Sequence, residues 1–166
     1  MTSSIASLAR ARARESALLA LYLNKISAKS DRIVFAWPFS NVPTEYVLTM
    51  DGSKPVFGRC AVDSLGVSAM YGKPVHIEAT SVASGSPIKL LVNGSRVERA
   101  EPADAVVWLG SDGEDCGCDE MLLFASRSEL AAWRKELGKP EGKTMSLEEA
   151  TAYGVRIFGA HLRPPG

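Results

Sequence analysis

The sequence predicts an α+β domain in which a mainly antiparallel or mixed sheet is flanked by helices. Strand-like segments follow one another through the middle of the chain, and short turn signals join several of them, as in antiparallel neighbours. Helical segments lie near the start, after the first strands and at the end, which favours α+β over other layer arrangements. The chain has 166 residues, 46% hydrophobic and 23% charged, which is typical of a globular domain with a proper core.

The N-terminal segment is predicted to form a helix over residues 3–27. Leu8, Ala11, Leu19 and Leu23 roughly follow helical spacing. Such a helix binds a partner or packs on its own domain, and packing is the preferred interpretation. The apolar run "DRIVFAWPFS" and a loop precede the first clear strand.

The central segments alternate strand signals with turn signals. Residues 44–58 are predicted to form a strand, a turn at Asp51-Gly52 and a returning strand. Residues 58–71 are predicted to form a helix closed by Gly72. Three strand-like stretches follow, "KPVHIEAT", "SPIKLLVNGSRVERA" and "DAVVWLG", and Asn93-Gly94 marks a hairpin within the second.

The C-terminal part begins with a polar loop, "GSDGEDCGCDE", which leads into the strand "MLLFAS". Two helices follow. The first starts after Ser126 or Ser128 and runs to Gly138. The second is opened by a capping box, Ser146-x-x-Glu149, and ends near the closing "RPPG".

The composition argues against several classes of function. The formal net charge is zero and no basic stripe with interleaved aromatics is present, so a nucleic-acid partner is not expected. The longest apolar run, "SALLALYL", is too short to span a bilayer. Glu15 and the lack of an A-x-A cleavage pattern argue against a secretion signal. The sequence therefore predicts a cytoplasmic protein without a membrane partner.

Three cysteines are present, and their odd number argues against a disulfide framework. Cys116 and Cys118 are flanked by acidic residues, which repel a free thiolate, so this stretch suits a bound metal better than a reactive sulfur. His76 and His161 are isolated, and no second pair completes a zinc site. Each thiol is therefore free, metal-bound or catalytic.

Cys60 and Asp63 form a second candidate pair. Positions i and i+3 of a helix share one face, so a thiol and a carboxyl there can address the same small ligand. Cys60 falls in the first turn of the predicted helix, where backbone N–H groups and the helix dipole favour a thiolate. Asp63 is interpreted as a metal ligand, a base or an acid, and a capping aspartate is the alternative.

Together these residues indicate a thiol-rich site of low coordination number for a soft metal ion. Its predicted ligands are Cys60, Cys118, Asp63 and Cys116. Met70 and Met121 carry further sulfur, but they are predicted to belong to the core.

At these residues the sequence resembles the organomercurial lyase (alkylmercury lyase) family. That family has a W-C-A-L-D motif at the start of a helix, and the matching segment is Arg59-Cys60-Ala61-Val62-Asp63. The stretches "ASGSPIKLLV" and "AEPADAVVWL" follow at spacing similar to that of the family. The family has a cysteine seven residues before a Phe-Ala-Ser segment, and counting back from 124–126 ends near Cys118.

The resemblance implies a lyase that cleaves carbon–mercury bonds by protonolysis. Cys60 and Cys118 would be the mercury-binding thiolates, and Asp63 would mediate the proton transfer. Hg(II) would remain on the sulfurs as product until a cellular thiol or a mercuric reductase takes it. The substrate is a small organometallic compound and no further cofactor is required. A soft-metal binding protein or chaperone for Hg(II) or Cu(I), or a relative recruited to other organometal or sulfur chemistry, is the alternative.

The resemblance also implies a domain division and several departures from the family. Residues 44–166 would form the catalytic domain, and residues 1–43 a remnant of the family's N-terminal winged-helix domain. The part of the substrate pocket that the full N-terminal domain covers in the family would then be open, or closed by another subunit. The second case would make the protein a homodimer.

Individual residues also depart from the family. Arg59 replaces the family's aromatic residue, and its side chain lies either at the pocket mouth or towards solvent. Ser81 lies near a position where the family often has a cysteine. Cys116 is a cysteine in addition to the two that match the family. It would be a third mercury ligand, a Cu(I) ligand or the ligand through which the metal leaves the site.

Overall fold

The computed structural model describes residues 26–29, 32–110, 120–138 and 142–161. These residues form two antiparallel sheets and three helices, which confirms the predicted α+β class. No helix among them is long and apolar enough to cross a membrane.

The larger sheet has eight strands in the order β1-β2-β3-β5-β4-β6-β7-β8. All of its neighbouring pairs are antiparallel. Its strands are β1 (Ile26–Lys29), β2 (Arg32–Ala36), β3 (Phe39–Ser40), β4 (Tyr46–Met50), β5 (Val56–Gly58), β6 (Val75–Thr80), β7 (Pro87–Asn93) and β8 (Arg96–Glu101).

The smaller sheet has three antiparallel strands in the order β10-β9-β11. They are β9 (Val106–Leu109), β10 (Met121–Phe124) and β11 (Lys143–Ser146). The short strand β11 was not predicted, since Met145 is its only fully buried residue and its apolar pattern is weak. Pairing with β9 gives this segment its strand structure.

The three helices are α1 (Ala61–Tyr71), α2 (Arg127–Glu136) and α3 (Leu147–His161). Residues 61–68 of α1 are all buried, so this helix lies inside the domain rather than on its surface. It packs against α3 at two glycines. A Cβ on Gly154 would lie 2.7 Å from the carbonyl oxygen of Val62, and a Cβ on Gly66 would overlap the ring of Phe158.

The larger sheet contributes one face to the core. Along β6 the side chains alternate between buried and exposed, as expected for a strand with one face against the core. Val75, Ile77 and Ala79 are buried in the same core cluster as Val62 and Leu65 of α1. α1 is therefore held between this sheet face and α3.

Several predicted boundaries agree with the structure. The strand–turn–strand unit at residues 44–58 is present as β4 and β5. Gly72 ends α1 with φ of 75°. The hairpin between β7 and β8 is also present, and Asn93 pairs with Arg96, so residues 94 and 95 form its loop.

Two predicted helix boundaries were wrong, and two predictions fall outside the described residues. The helix predicted over residues 3–27 cannot extend to its end, because Ile26 already pairs with Ala36 in the antiparallel β1–β2 ladder. The helix predicted from residue 58 begins at Ala61, because Cys60 has an extended backbone, with φ −147° and ψ 177°. Residues 1–25 and the predicted polar loop at 111–119 lie outside the described ranges.

Candidate functional site

Cys60 is the residue that begins α1. Strand β5 ends at Gly58, and Cys60 occupies the N-cap position, where its Sγ accepts a hydrogen bond from the backbone N–H of Asp63 at 3.4 Å. The side chain is only 1% exposed. The preceding residue, Arg59, is partly buried, and its N–H donates to the carbonyl of Pro38 at 3.0 Å. The structure thus fixes the thiol at a buried helix start.

Asp63 lies in the first turn of α1, next to the thiol, and is 2% exposed. A buried carboxyl group needs hydrogen-bond partners to offset the loss of water. One is the indole of Trp37, whose Nε1–H donates to Oδ1 at 2.9 Å. Trp37 comes from the connection between β2 and β3, and its ring stacks on Phe158 of α3 with centroids 4.5 Å apart.

Met121 brings the start of β10 to the same place. Its Sδ lies 3.7 Å from Sγ of Cys60, within reach of a weak S–H···S hydrogen bond. The hydroxyl of Tyr46 donates to the carbonyl of Met121 at 3.4 Å. Burial raises the pKa of Tyr46, and the neighbouring charge of Cys60 raises it further. Tyr46 therefore stays a neutral phenol that supports β10.

Cys116 and Cys118 lie in the segment 111–119, outside the described residues, so the predicted four-ligand set is untested. The two ends of that segment are joined, since the N–H of Gly110 donates to the carbonyl of Glu120 at 3.0 Å. Among the residues the structure describes, no group of three or more His, Cys, Asp and Glu side chains is placed to hold a metal ion. The structure therefore brings together Cys60 and Asp63 and leaves the other two positions as predictions.

Ser81 belongs to a second polar cluster. Its Oγ donates to Oε1 of Glu129 at 2.9 Å, and the N–H of Ala125 donates to Oε2 of the same carboxylate at 2.9 Å. Burial by itself would raise the pKa of Glu129, but hydrogen bonds from Ser84, Ser81 and Ala125 outweigh it, and the pKa is lowered. This cluster fastens the turn after β6 to the start of α2.

Three aromatic side chains near Cys60 and Asp63 were not predicted from the sequence as part of the site. Trp37 and Phe158 are 121 positions apart and meet only because the β2–β3 connection and α3 pack together. Tyr46 has the alternating burial of an ordinary core strand. No local sequence signal distinguishes these residues from core aromatics.

The fold and the site together define an α+β protein with a buried thiol and carboxyl at the start of an internal helix. Comparison with known proteins gives the family. The profile of the alkylmercury lyase family (MerB) matches residues 39–159. The chain therefore belongs to the alkylmercury lyase family.

Individual relatives agree with this family. Alkylmercury lyase from Bacillus cereus is 32% identical over 123 residues, which cover 71% of this chain and 55% of the relative. The Staphylococcus epidermidis enzyme is 30% identical over 138 residues, covering 80% and 62%. The chain thus spans somewhat more than half the length of these relatives.

A solved structure has the same fold. The mercury-bound form of MerB2 superposes with a TM-score of 0.72 at 25% identity. The superposition covers 88% of this chain and 74% of that one.

Proposed function

We propose that this protein cleaves the carbon–mercury bond of organomercurials by protonolysis, giving a hydrocarbon and thiolate-bound Hg(II). The observation that carries the proposal is the buried Cys60–Asp63 pair at the start of α1, in a chain of the alkylmercury lyase family. A soft sulfur at the N-cap and a potential proton carrier in the first turn lie three residues apart at one helix start.

Cys60 is the first mercury ligand in this proposal. Among the described residues, its Sγ makes two weak contacts, with the N–H of Asp63 and the sulfur of Met121, and a bond to mercury can replace both. Because the side chain is 1% exposed, the bound metal would be shielded from water. A water-excluded site strengthens the electrostatic interactions that act on the reacting atoms.

Cys118 is the proposed second thiolate. It precedes Met121 by three residues, and Met121 contacts the sulfur of Cys60. Three residues of extended chain cover about 10 Å, so the connection allows Cys118 to reach the same ion. Cys116, two residues earlier, is proposed as an additional sulfur ligand that is not essential for bond cleavage.

Asp63 is the proposed proton carrier. As a cysteine sulfur binds mercury, its proton passes to the carboxylate, and the carboxylic acid then protonates the carbon. The electron pair of the C–Hg bond becomes the C–H bond, and Hg(II) stays on the two sulfurs. The carbon keeps this electron pair, so the reaction needs no redox cofactor. The proposed setting is the cytoplasm, where cellular thiols or a mercuric reductase would remove the metal.

The proposal is tested with the full chain, phenylmercury and an excess of a small thiol, by measuring released benzene. Benzene should form well above the rate of a thiol-only control. Cys60→Ser and Cys118→Ser should each remove this activity, while Cys116→Ser, a matched change two residues away, should lower it only partly. Benzene release no faster than in the thiol-only control would refute the proposal, and complete loss in Cys116→Ser would mean that the register assigning the second thiolate to Cys118 is wrong.

A further inference from the structure

We propose that Trp37 is a positioning residue that fixes the orientation of the Asp63 carboxyl group for proton transfer. The inference rests on the proposed function, because it assigns a role within the protonolysis step. It concerns a residue that lies two positions before the part of the chain matched by the family profile.

The first argument is the contact itself. The indole N–H donates to Oδ1 of Asp63 at 2.9 Å, between residues 26 positions apart in the sequence. The carboxyl is 2% exposed, so this hydrogen bond forms where little water competes. A buried hydrogen bond of this length restricts rotation of the carboxyl group about its own axis.

The second argument is the way the indole is held. Its ring stacks on Phe158 with an interplanar angle of 24°. Phe158 is 1% exposed and lies over Gly66, where a Cβ would overlap its ring. Gly66 and Asp63 are one turn apart on α1. Asp63 contacts Trp37, Trp37 stacks on Phe158, and Phe158 packs on Gly66 of the same helix. These contacts fix the position of the indole relative to the carboxyl group.

The third argument is chemical. An indole N–H is a donor only and carries no formal charge. It can satisfy Oδ1 in both protonation states of Asp63, whereas a lysine or arginine partner would hold the carboxylate ionised. Trp37 thus orients a group that must gain and lose a proton in every turnover.

In the resulting step each atom and electron pair is accounted for. One cysteine sulfur binds mercury as a thiolate, and its proton leaves with the ligand that it displaces from mercury. The carboxylate of Asp63 takes the proton of the other cysteine S–H as that sulfur bonds to mercury. The O–H then gives this proton to carbon while the C–Hg bond breaks, and its electron pair forms the new C–H bond. Hg(II) keeps both thiolates, Asp63 returns to the carboxylate, and Trp37 keeps its N–H throughout.

Trp37→Phe tests the role, because phenylalanine keeps an aromatic ring against Phe158 and removes the N–H. Trp133→Phe is the matched control, since Trp133 packs against Trp108 and Phe124, in the cluster beside α2. Each variant is titrated with phenylmercury and with Hg(II), and benzene release is then measured in a single turnover. The expected result for Trp37→Phe is unchanged mercury binding with release slowed about ten- to a hundredfold. Trp133→Phe should match the wild type.

Equal release rates in Trp37→Phe and the wild type would overturn the role of Trp37 alone. Loss of mercury binding in step with the rate would also overturn it, since that pattern describes a structural residue. Absence of benzene from the wild type would instead refute the proposed function, and this role with it.

A second measurement avoids the tryptophan variant and any effect of it on folding. The indole proton of Trp37 is followed by NMR in the wild type and in Asp63→Asn. Its resonance should move when the carboxylate becomes an amide, while that of Trp133 stays in place. An unchanged Trp37 resonance would overturn the proposed link.

Discussion

The three helices that the structure describes begin with the same two-residue pattern, and the proposed function assigns chemistry to one of them. In each, a side chain at the N-cap position accepts a hydrogen bond from the backbone N–H three residues later, and that later residue is acidic. The cap-to-nitrogen distances are 3.4 Å in α1 and 3.1 Å in both α2 and α3. The pairs are Cys60 and Asp63, Ser126 and Glu129, and Ser146 and Glu149.

The three acidic residues differ in the groups that donate hydrogen bonds to their carboxylate oxygens. Glu149 accepts the N–H of its own cap residue at 2.8 Å, and Glu129 accepts the N–H of Ala125, the residue before its cap. Both close a local network that stabilises a helix start. Asp63 instead accepts from the indole of Trp37, in a distant segment, and its cap is a thiol, a weak hydrogen-bond acceptor. The start of α1 thus departs from the usual hydroxyl or carboxyl cap, which agrees with the function proposed for it.

The largest effect is expected for Cys60→Ser. A hydroxyl caps a helix at least as well as a thiol, so the free energy of unfolding should stay within about 1 kcal/mol of the wild type. Benzene release should fall below about one thousandth of the wild-type rate, because the proposed mercury ligand is gone. Thermal unfolding and product release from phenylmercury check the two parts.

Ser126→Ala changes the corresponding N-cap residue of α2, and the opposite pattern of effects is expected. It should lower the free energy of unfolding by about 1 kcal/mol and leave benzene release unchanged. Substantial benzene release by Cys60→Ser, or loss of activity in Ser126→Ala, would remove the distinction between the two helix starts.

The next largest expected effect is a lower free energy of unfolding in Gly154→Ala. The added Cβ would lie 2.7 Å from the carbonyl oxygen of Val62 and 3.1 Å from Cα of Gly66, so α1 and α3 must move apart. Overpacking of this kind costs about 1–3 kcal/mol. The loss should be seen in denaturant unfolding, because packing against α3 holds α1 in place. At Gly138 an added Cβ would meet nothing within 4 Å but φ is 61°, so Gly138→Ala measures the cost of backbone strain without a packing clash. A loss well below about 1 kcal/mol in Gly154→Ala would contradict the account.

The smallest effect is expected for Glu129→Gln, and it depends on pH. Since hydrogen bonds lower the pKa of Glu129 below its ordinary value of 4.5, the ionised form stabilises the fold above that value. This contribution is lost as the pH falls through the lowered folded pKa. Glu129→Gln should lower the free energy of unfolding by about 1 kcal/mol at pH 7.

The difference in free energy of unfolding between Glu129→Gln and the wild type should shrink below a pH of about 4.5. The wild type loses the contribution of its ionised carboxylate there, whereas glutamine does not titrate. Urea unfolding of both proteins across this range measures it. A difference that is independent of pH would mean that the charge of Glu129 contributes nothing to the start of α2. Benzene release at pH 7 should be the same in both proteins.

Much of the fold could be predicted from local patterns. The alternation in β6, the turn around Gly94 and the capping box before α3 are short-range features, and the structure has all three. Strand β11 was missed because its structure comes from pairing with β9 rather than from its own pattern. The end of the predicted N-terminal helix was wrong for a similar reason, since Ile26 is paired in a ladder.

The candidate site could be predicted only in part. Cys60 and Asp63 are three residues apart, and the local geometry of a helix start brings them together, with Cys60 as the N-cap residue rather than inside the helix. The contact of Trp37 with Asp63 depends on the packing of the β2–β3 connection against α1 and α3, which no local pattern encodes. The register that assigns Cys118 rests on the family resemblance and stays a prediction.

The central claim is that the acid at the start of α1 moves a proton rather than capping a helix, and Asp63→Asn tests it most directly. Asparagine keeps the size of the side chain and an oxygen that can accept from Trp37, but it cannot carry the proton. The variant is loaded with one equivalent of phenylmercury, and bound mercury and released benzene are measured together. The account predicts that mercury binds as in the wild type and that no benzene is released above the thiol-only control. Benzene release at the wild-type rate would contradict it.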